Sequence, residues 1–169
     1  MKRFFILLLT LLVPTVALAQ TCNDKMLDTS PDANFSDNQD GTITDSTTGL
    51  VWMKCSLGQT FDASSNSCTG EGSQMTWQEA LNTAHGYQFA NLNGWRLPNI
   101  KELASITERS CVRPAINETF FPATPSDDFW TSTPSLNTLD SAWVVAFFNS
   151  SNALKVKNSY IYVRLVRQP

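Results

Sequence analysis

Past an apolar run at its start, the chain alternates between short β-like patterns and two helical ones. Residues 35–45 place the strong turn signal Asp40-Gly41 ahead of the β-prone Thr42-Ile43-Thr44 and read as a hairpin. Residues 50–53, after a second turn at Thr48-Gly49, are almost wholly apolar, as a strand covered on both faces should be. The period changes at Thr76. Trp77, Ala80, Leu81 and Ala84 recur at helical spacing, Thr76 with Glu79 makes a capping box, and Gly86 stands where the helix should stop. A second short helix is expected after Pro98, capped by Asn99 with Glu102 three residues on, its inward side being Ile100, Leu103, Ala104 and Ile106.

Residues 112–139 contain Pro114, Pro122, Pro125 and Pro134 and read as one long irregular loop carrying the aromatic pairs Phe120-Phe121 and Phe129-Trp130. Residues 142–148 read as a buried strand and Ser150-Ser151-Asn152 as a turn. Residues 160–167 read as a last strand, with Ile161, Val163 and Leu165 on one face and Tyr160, Tyr162, Arg164 and Val166 on the other. The order is hairpin, strand, two helices, long loop, strands. It predicts an α+β fold with segregated helices, not a parallel α/β sheet.

The first residues are an address. Lys2 and Arg3 precede the apolar residues 4–13, Pro14 breaks the run, and Ala17-Leu18-Ala19 has the small-x-small form of a signal-peptidase site. That run is about half the length a bilayer-crossing helix needs. Residues 1–19 are therefore expected to be a cleaved secretory leader, leaving one domain at 20–169 with no transmembrane anchor. The 169 residues hold twelve Lys/Arg and fifteen Asp/Glu. Without Lys2 and Arg3 the net charge falls to −5, which argues against a nucleic-acid binder.

An even count of four cysteines in an exported chain reads as two disulfides. Three pairings exist. The polar Ser/Asn/Gly segment between Cys55 and Cys68 looks like a surface loop that needs a clamp, which favours Cys55–Cys68 with Cys22–Cys111. No C-x-x-C spacing supports a metal or redox site.

Six strings occur in a telling order: DNQDGTITDSTTGLVW (37–52), TWQEAL (76–81), GWRLPNIKEL (94–103), FFP (120–122), FWTSTP (129–134) and VRLVR (163–167). Together they resemble the Legionella collagen-like (Lcl) C-terminal domain family over residues 35–167. The resemblance implies a C-type-lectin-like fold and an extracellular or periplasmic setting. The family's namesake is an adhesin domain that binds sulfated polysaccharide. The formylglycine-generating enzymes are similar in the W-x-x-A helix and the R-L-P helix start, but that chemistry needs reactive thiols, and two disulfides would leave none.

The candidate sites are few. A calcium-loop register through Asp40-Gly41 puts Ser36 and Thr47 at the end positions, where acidic ligands belong, so residues 37–41 read as a turn. The Glu-Pro-Asn, Gln-Pro-Asp and Trp-Asn-Asp strings of calcium-dependent lectins do not occur. Asp127 and Asp128 beside Trp130 are the nearest polar–aromatic combination for a ligand. Lys155, Lys157, Arg164 and Arg167 are expected to offset the six Asp of residues 24–45 where the chain ends lie together; the sharper alternative is a basic strip that contacts an anionic glycan. Trp52, Trp77, Trp95, Arg96, Leu97, Pro98 and Glu102 are expected to be structural, with Arg96 largely buried and paired to Glu102. His85, the one histidine, falls in the last turn of a helix, and no relay can be built on it. No catalytic residue, metal or cofactor is expected. The reading is an exported, non-catalytic binding or adhesion module whose partner is a glycan or an envelope protein. The alternatives are an assembly component of the envelope and, behind it, a secreted enzyme.

Overall fold

A computed structural model describes residues 19–169; the leader lies almost wholly outside them. The first elements are strand β1 (Thr21–Cys22), β2 (Phe35–Asp37), β3 (Thr42–Asp45) and β4 (Leu50–Met53). A hairpin of β5 (Thr60–Asp62) and β6 (Ser67–Thr69) follows, then β7 (Gln74–Met75), helix α1 (Trp77–Ala84) and helix α2 (Ile100–Ser105). The chain continues with β8 (Cys111–Val112), β9 (Asp128–Pro134), β10 (Ser141–Ala146), β11 (Ser151–Val156), β12 (Ile161–Tyr162) and β13 (Val166–Arg167). This is an α+β architecture of mainly antiparallel sheets with two short helices, β12 alone running parallel to its neighbour β9 among the described strands.

Among the described residues a five-stranded sheet runs β11-β10-β9-β12-β7, and a four-stranded one runs β13-β4-β3-β2. Alternate residues of β9 and β10 feed two cores. Trp130 and Val144 join Ala80 and Ala84 of α1, with Trp95, Leu97 and Val163. Phe129, Val145 and Phe147 join Leu103 and Ile106 of α2, with Phe121, Ile43 and Trp52. The same alternation buries β4 on both sides, Val51 and Met53 in the first core, Leu50 and Trp52 in the second.

Both helices carry the capping boxes their sequences predict. The Thr76 hydroxyl accepts from Glu79 N–H while Glu79 accepts from Thr76 N–H, and Asn99 and Glu102 do the same. Disulfides join Cys22 to Cys111 and Cys55 to Cys68. The first ties β1 to β8, where the two cysteines face each other across the ladder.

Four expectations need correction. The span 112–139 is not one loop, because β9, the longest strand, lies inside it. β9 is covered on both faces and so lacks the period-two signal that would have revealed it. The segment between Cys55 and Cys68 is a hairpin, not a loop. The turn expected at 150–152 falls earlier, and Ser151–Val156 is β11, an exposed edge strand too polar to alternate visibly. The last strand is two, β12 in one sheet and β13 in the other. Arg164 is the reason. It turns inward between them, fully buried, and does not share a surface with Tyr160.

Candidate functional site

One cleft of about 370 Å³ is lined by Leu81, His85, Trp95, Arg96, Asn99 and Glu102 among others. Its two charged groups are spent on each other. Arg96 grips Glu102 through two bonds of 2.8 Å, and Glu102 also accepts from Asn99 N–H. The Arg96 guanidinium comes first in holding the Glu102 carboxyl below its ordinary value. The pair is the expected one, but Arg96 is 39 % exposed, since the pair lies at the cleft mouth and not inside a core. A second cleft of about 190 Å³ lies over Glu108, Asp28 and Asn117. Glu108 is buried and takes N–H donors from Thr29, Ser30 and Ser110. Burial acts to raise its carboxyl, but those N–H groups outweigh it and hold it below the ordinary range.

The third cleft, about 220 Å³, gathers Gln74, Asp127, Asp128, Lys155, Ser159, Tyr160 and Ile161. Asp128 opens β9, Lys155 lies on β11, Gln74 lies on β7, and the connection from β11 to β12 supplies Ser159 and Tyr160. Lys155 meets Asp128 at 2.8 Å, and this contact, reinforced by Asp127, raises the ammonium above its usual pKa. One Asp127 oxygen accepts from Asp128 N–H at 2.8 Å. Among the described residues, the second Asp127 oxygen and the second Asp128 oxygen have no protein donor, so both can accept from a ligand. Tyr160 is 66 % exposed beside them. The cleft therefore combines an open aromatic ring, free carboxylate oxygens, an ammonium and an amide.

Asp127, Asp128 and Lys155 thus come together. Trp130 does not join them. It is fully buried, donating its indole N–H to Met75 O at 2.8 Å, and cannot meet a ligand. Lys157 also points elsewhere, its ammonium over the Trp77 ring and bonded to Leu139 O. Arg164 is interior, and Arg167 donates to Asn93 O, so no continuous basic strip forms. Among the described residues no acid of 24–45 forms an ion pair with that end of the chain; Asp37 pairs with Lys54. Tyr160, Gln74 and Ser159 escaped the sequence reading. The turn-forming Asn158-Ser159 just before Tyr160 was the available signal that its ring need not follow a strand face. Trp52, Trp95 and Leu97 lie in the cores, and Trp77 packs against the first. Pro98 O accepts from Ser132 N–H.

Among the described residues no group of three or more His, Cys, Asp or Glu is placed to hold a metal ion. No described helix is long and apolar enough to cross a membrane. The architecture defines a disulfide-stapled α+β module with an open polar–aromatic cleft. Residues 41–167 match the model of the Lcl C-terminal domain, and the chain belongs to that family. No curated protein matches it.

Proposed function

We propose that the protein is an exported, non-catalytic binding module whose cleft at Asp127, Asp128, Lys155 and Tyr160 takes a glycan. The observation that carries this is the exposed Tyr160 ring beside carboxylate oxygens with free acceptor capacity. A sugar ring has an apolar C–H face suited to an aromatic plane and hydroxyl donors suited to carboxylates. The Lys155 ammonium adds a donor for ring or carboxylate oxygens of the sugar. The leader pattern and the two disulfides support a periplasmic or extracellular setting.

The test is a glycan array probed with and without calcium, repeated with Tyr160→Ala. Retention on one saccharide class, lost in the variant, supports the proposal. A blank array for a folded protein overturns it.

A second reading, a protein partner in the envelope, has its own observation. Leu136 and Leu139 are more than four-fifths exposed, next to the half-exposed Val156 of edge strand β11. Capture of one defined envelope protein, lost on Leu139→Lys and untouched by Tyr160→Ala, separates this reading from the first.

A further inference from the structure

Lys54 is a fully buried lysine. It directly follows β4, and its backbone is held on both sides: its N–H donates to Gly41 O at 2.9 Å and its carbonyl accepts from Arg164. Its ammonium has two side-chain neighbours. Asp37 Oδ2 lies at 2.6 Å and Asn66 Oδ1 also at 2.6 Å, with the Asn66 backbone carbonyl behind at 3.4 Å. The Phe61 ring covers the amine, its centroid 5.4 Å away. The same Asp37 oxygen accepts from Asn66 Nδ2 at 2.9 Å. That last bond fixes the amide orientation, since its nitrogen faces an acceptor and its oxygen faces a donor.

We propose that Lys54 and Asn66 join in an intramolecular amide bond, with Asp37 carrying the proton between them. The arrangement supplies each part of that reaction: a buried amine as nucleophile, a carboxamide carbon beside it, and one carboxylate oxygen touching both the nitrogen that must lose a proton and the nitrogen that must gain one. The Lys54 ammonium passes a proton to Asp37 Oδ2, and Nζ attacks Cγ of Asn66. Asp37 delivers the proton to Nδ2, the Cγ–Nδ2 bond breaks, and ammonia leaves. The second proton lost by Nζ ends on the departing ammonia, so one ammonium is released and Asp37 is regenerated as carboxylate. No oxidant or cofactor enters. In the resting state burial acts to raise the Asp37 carboxyl, but the bonds from Lys54, Asn66 and Gln39 N–H prevail and keep it ionised. The ion pair with Asp37 thus holds the Lys54 nitrogen beside Asn66 until that first proton moves.

The product would close almost the same loop as the neighbouring Cys55–Cys68 disulfide, with a bond that reduction cannot open. The hairpin β5–β6 would stay clamped to the end of β4 in either redox state.

Mass spectrometry of the full chain, reduced and alkylated so that the disulfides do not count, reads the bond directly. The expected result is a mass lower by one ammonia and, after digestion, a branched peptide carrying both Lys54 and Asn66. Cyclisation of an N-terminal glutamine loses the same mass, so the branched peptide decides. Asn66→Ala lies on an exposed turn where the fold should survive, as circular dichroism will show, and should abolish the branch. Asp37→Asn should slow its appearance by roughly a hundredfold or more. Unlinked Lys54 and Asn66 peptides from wild-type protein kept folded for days would overturn the proposal and leave an ion pair with a hydrogen-bonded amide.

Discussion

Arg164 and Lys155 stand nine positions apart in the last third of the chain, and the fold uses their charges in opposite ways. Arg164 is fully buried and meets no carboxylate among the described residues. Its fork donates to the backbone carbonyls of Met53 and Lys54 and to the hydroxyls of Ser56 and Thr124, and the Phe121 ring lies 5.0 Å away. Burial pushes its pKa down to about 9, which still leaves it charged at neutral pH. Lys155 does meet a carboxylate, but at a surface where both partners keep valences to spare. The interior cation links the end of β4, the loop before β9 and the crossing between β12 and β13, three segments remote in sequence. The surface cation leaves something for a ligand to complete. Under the proposed function, binding capacity in this domain would follow unfinished hydrogen bonding more closely than charge.

Breaking the interior side of that contrast should have the largest effect. Arg164→Ala removes a donor set from buried acceptors and should cost about 3–5 kcal/mol, read from urea unfolding. Arg164→Lys should recover little, because a single ammonium cannot span acceptors on three segments. An Arg164→Ala protein with an unchanged urea midpoint would mean that water replaces the guanidinium and that the three segments hold without it.

Next comes the acidic counterpart, Glu108, a buried carboxylate with no cation among its hydrogen-bond partners in the described residues. Glu108→Gln should cost about 1–3 kcal/mol, since an amide cannot accept from three N–H groups as a carboxylate does. The pH dependence follows from the direction of the shift. A carboxyl whose folded pKa lies below its unfolded value, ordinarily near 4.3, contributes stability above that value and loses it as pH falls through the folded one. Glu108, Glu102 and Asp37 all shift this way. The melting temperature should therefore drop from about pH 4 downward, and Glu108→Gln should flatten that drop. Equal slopes for the two proteins would remove Glu108 from the account. Arg96→Leu should cost less, about 1 kcal/mol, because its two-bond pair with Glu102 is open to solvent on one side.

These residues differ in how far the sequence announced them. The helices were legible because capping is local: Thr76 with Glu79 and Asn99 with Glu102 state both start and register within four residues. The Arg96–Glu102 pair was legible for the same reason, six residues apart across a helix start. The cysteine pairs could be ordered because one of them closes a short segment. Arg164 was not legible. Its acceptors lie about forty and about one hundred and ten residues away, and a basic residue in an alternating strand reads as a solvated one. β9 hid behind flanking prolines and double-sided burial, and β11 behind its polar edge character. Asp127, Asp128 and Lys155 could be named as candidates, but that they share a cleft with Tyr160 depends on the crossing from β11 to β12, which no local pattern encodes.

The smallest stability effects belong to the surface side of the contrast, where the effect on binding should be largest. Lys155 is 44 % exposed, and its bond to Asp128 is a surface pair, so Lys155→Ala should change stability by less than about 1 kcal/mol and only at low salt. Tyr160→Ala removes an open ring that supports no core and should fall within about 0.5 kcal/mol of the parent. If the cleft takes a saccharide, both variants should melt with the parent and lose retention on the same glycan, Tyr160→Ala at any ionic strength because stacking is not screened. Lys155→Ala should lose most for acidic sugars, and its deficit should shrink as salt rises. A Tyr160→Ala protein that binds normally, or one that unfolds, breaks the comparison at its weaker end. The first outcome would move the ligand elsewhere, and the second would mean that the ring belongs to the interior economy that Arg164 represents.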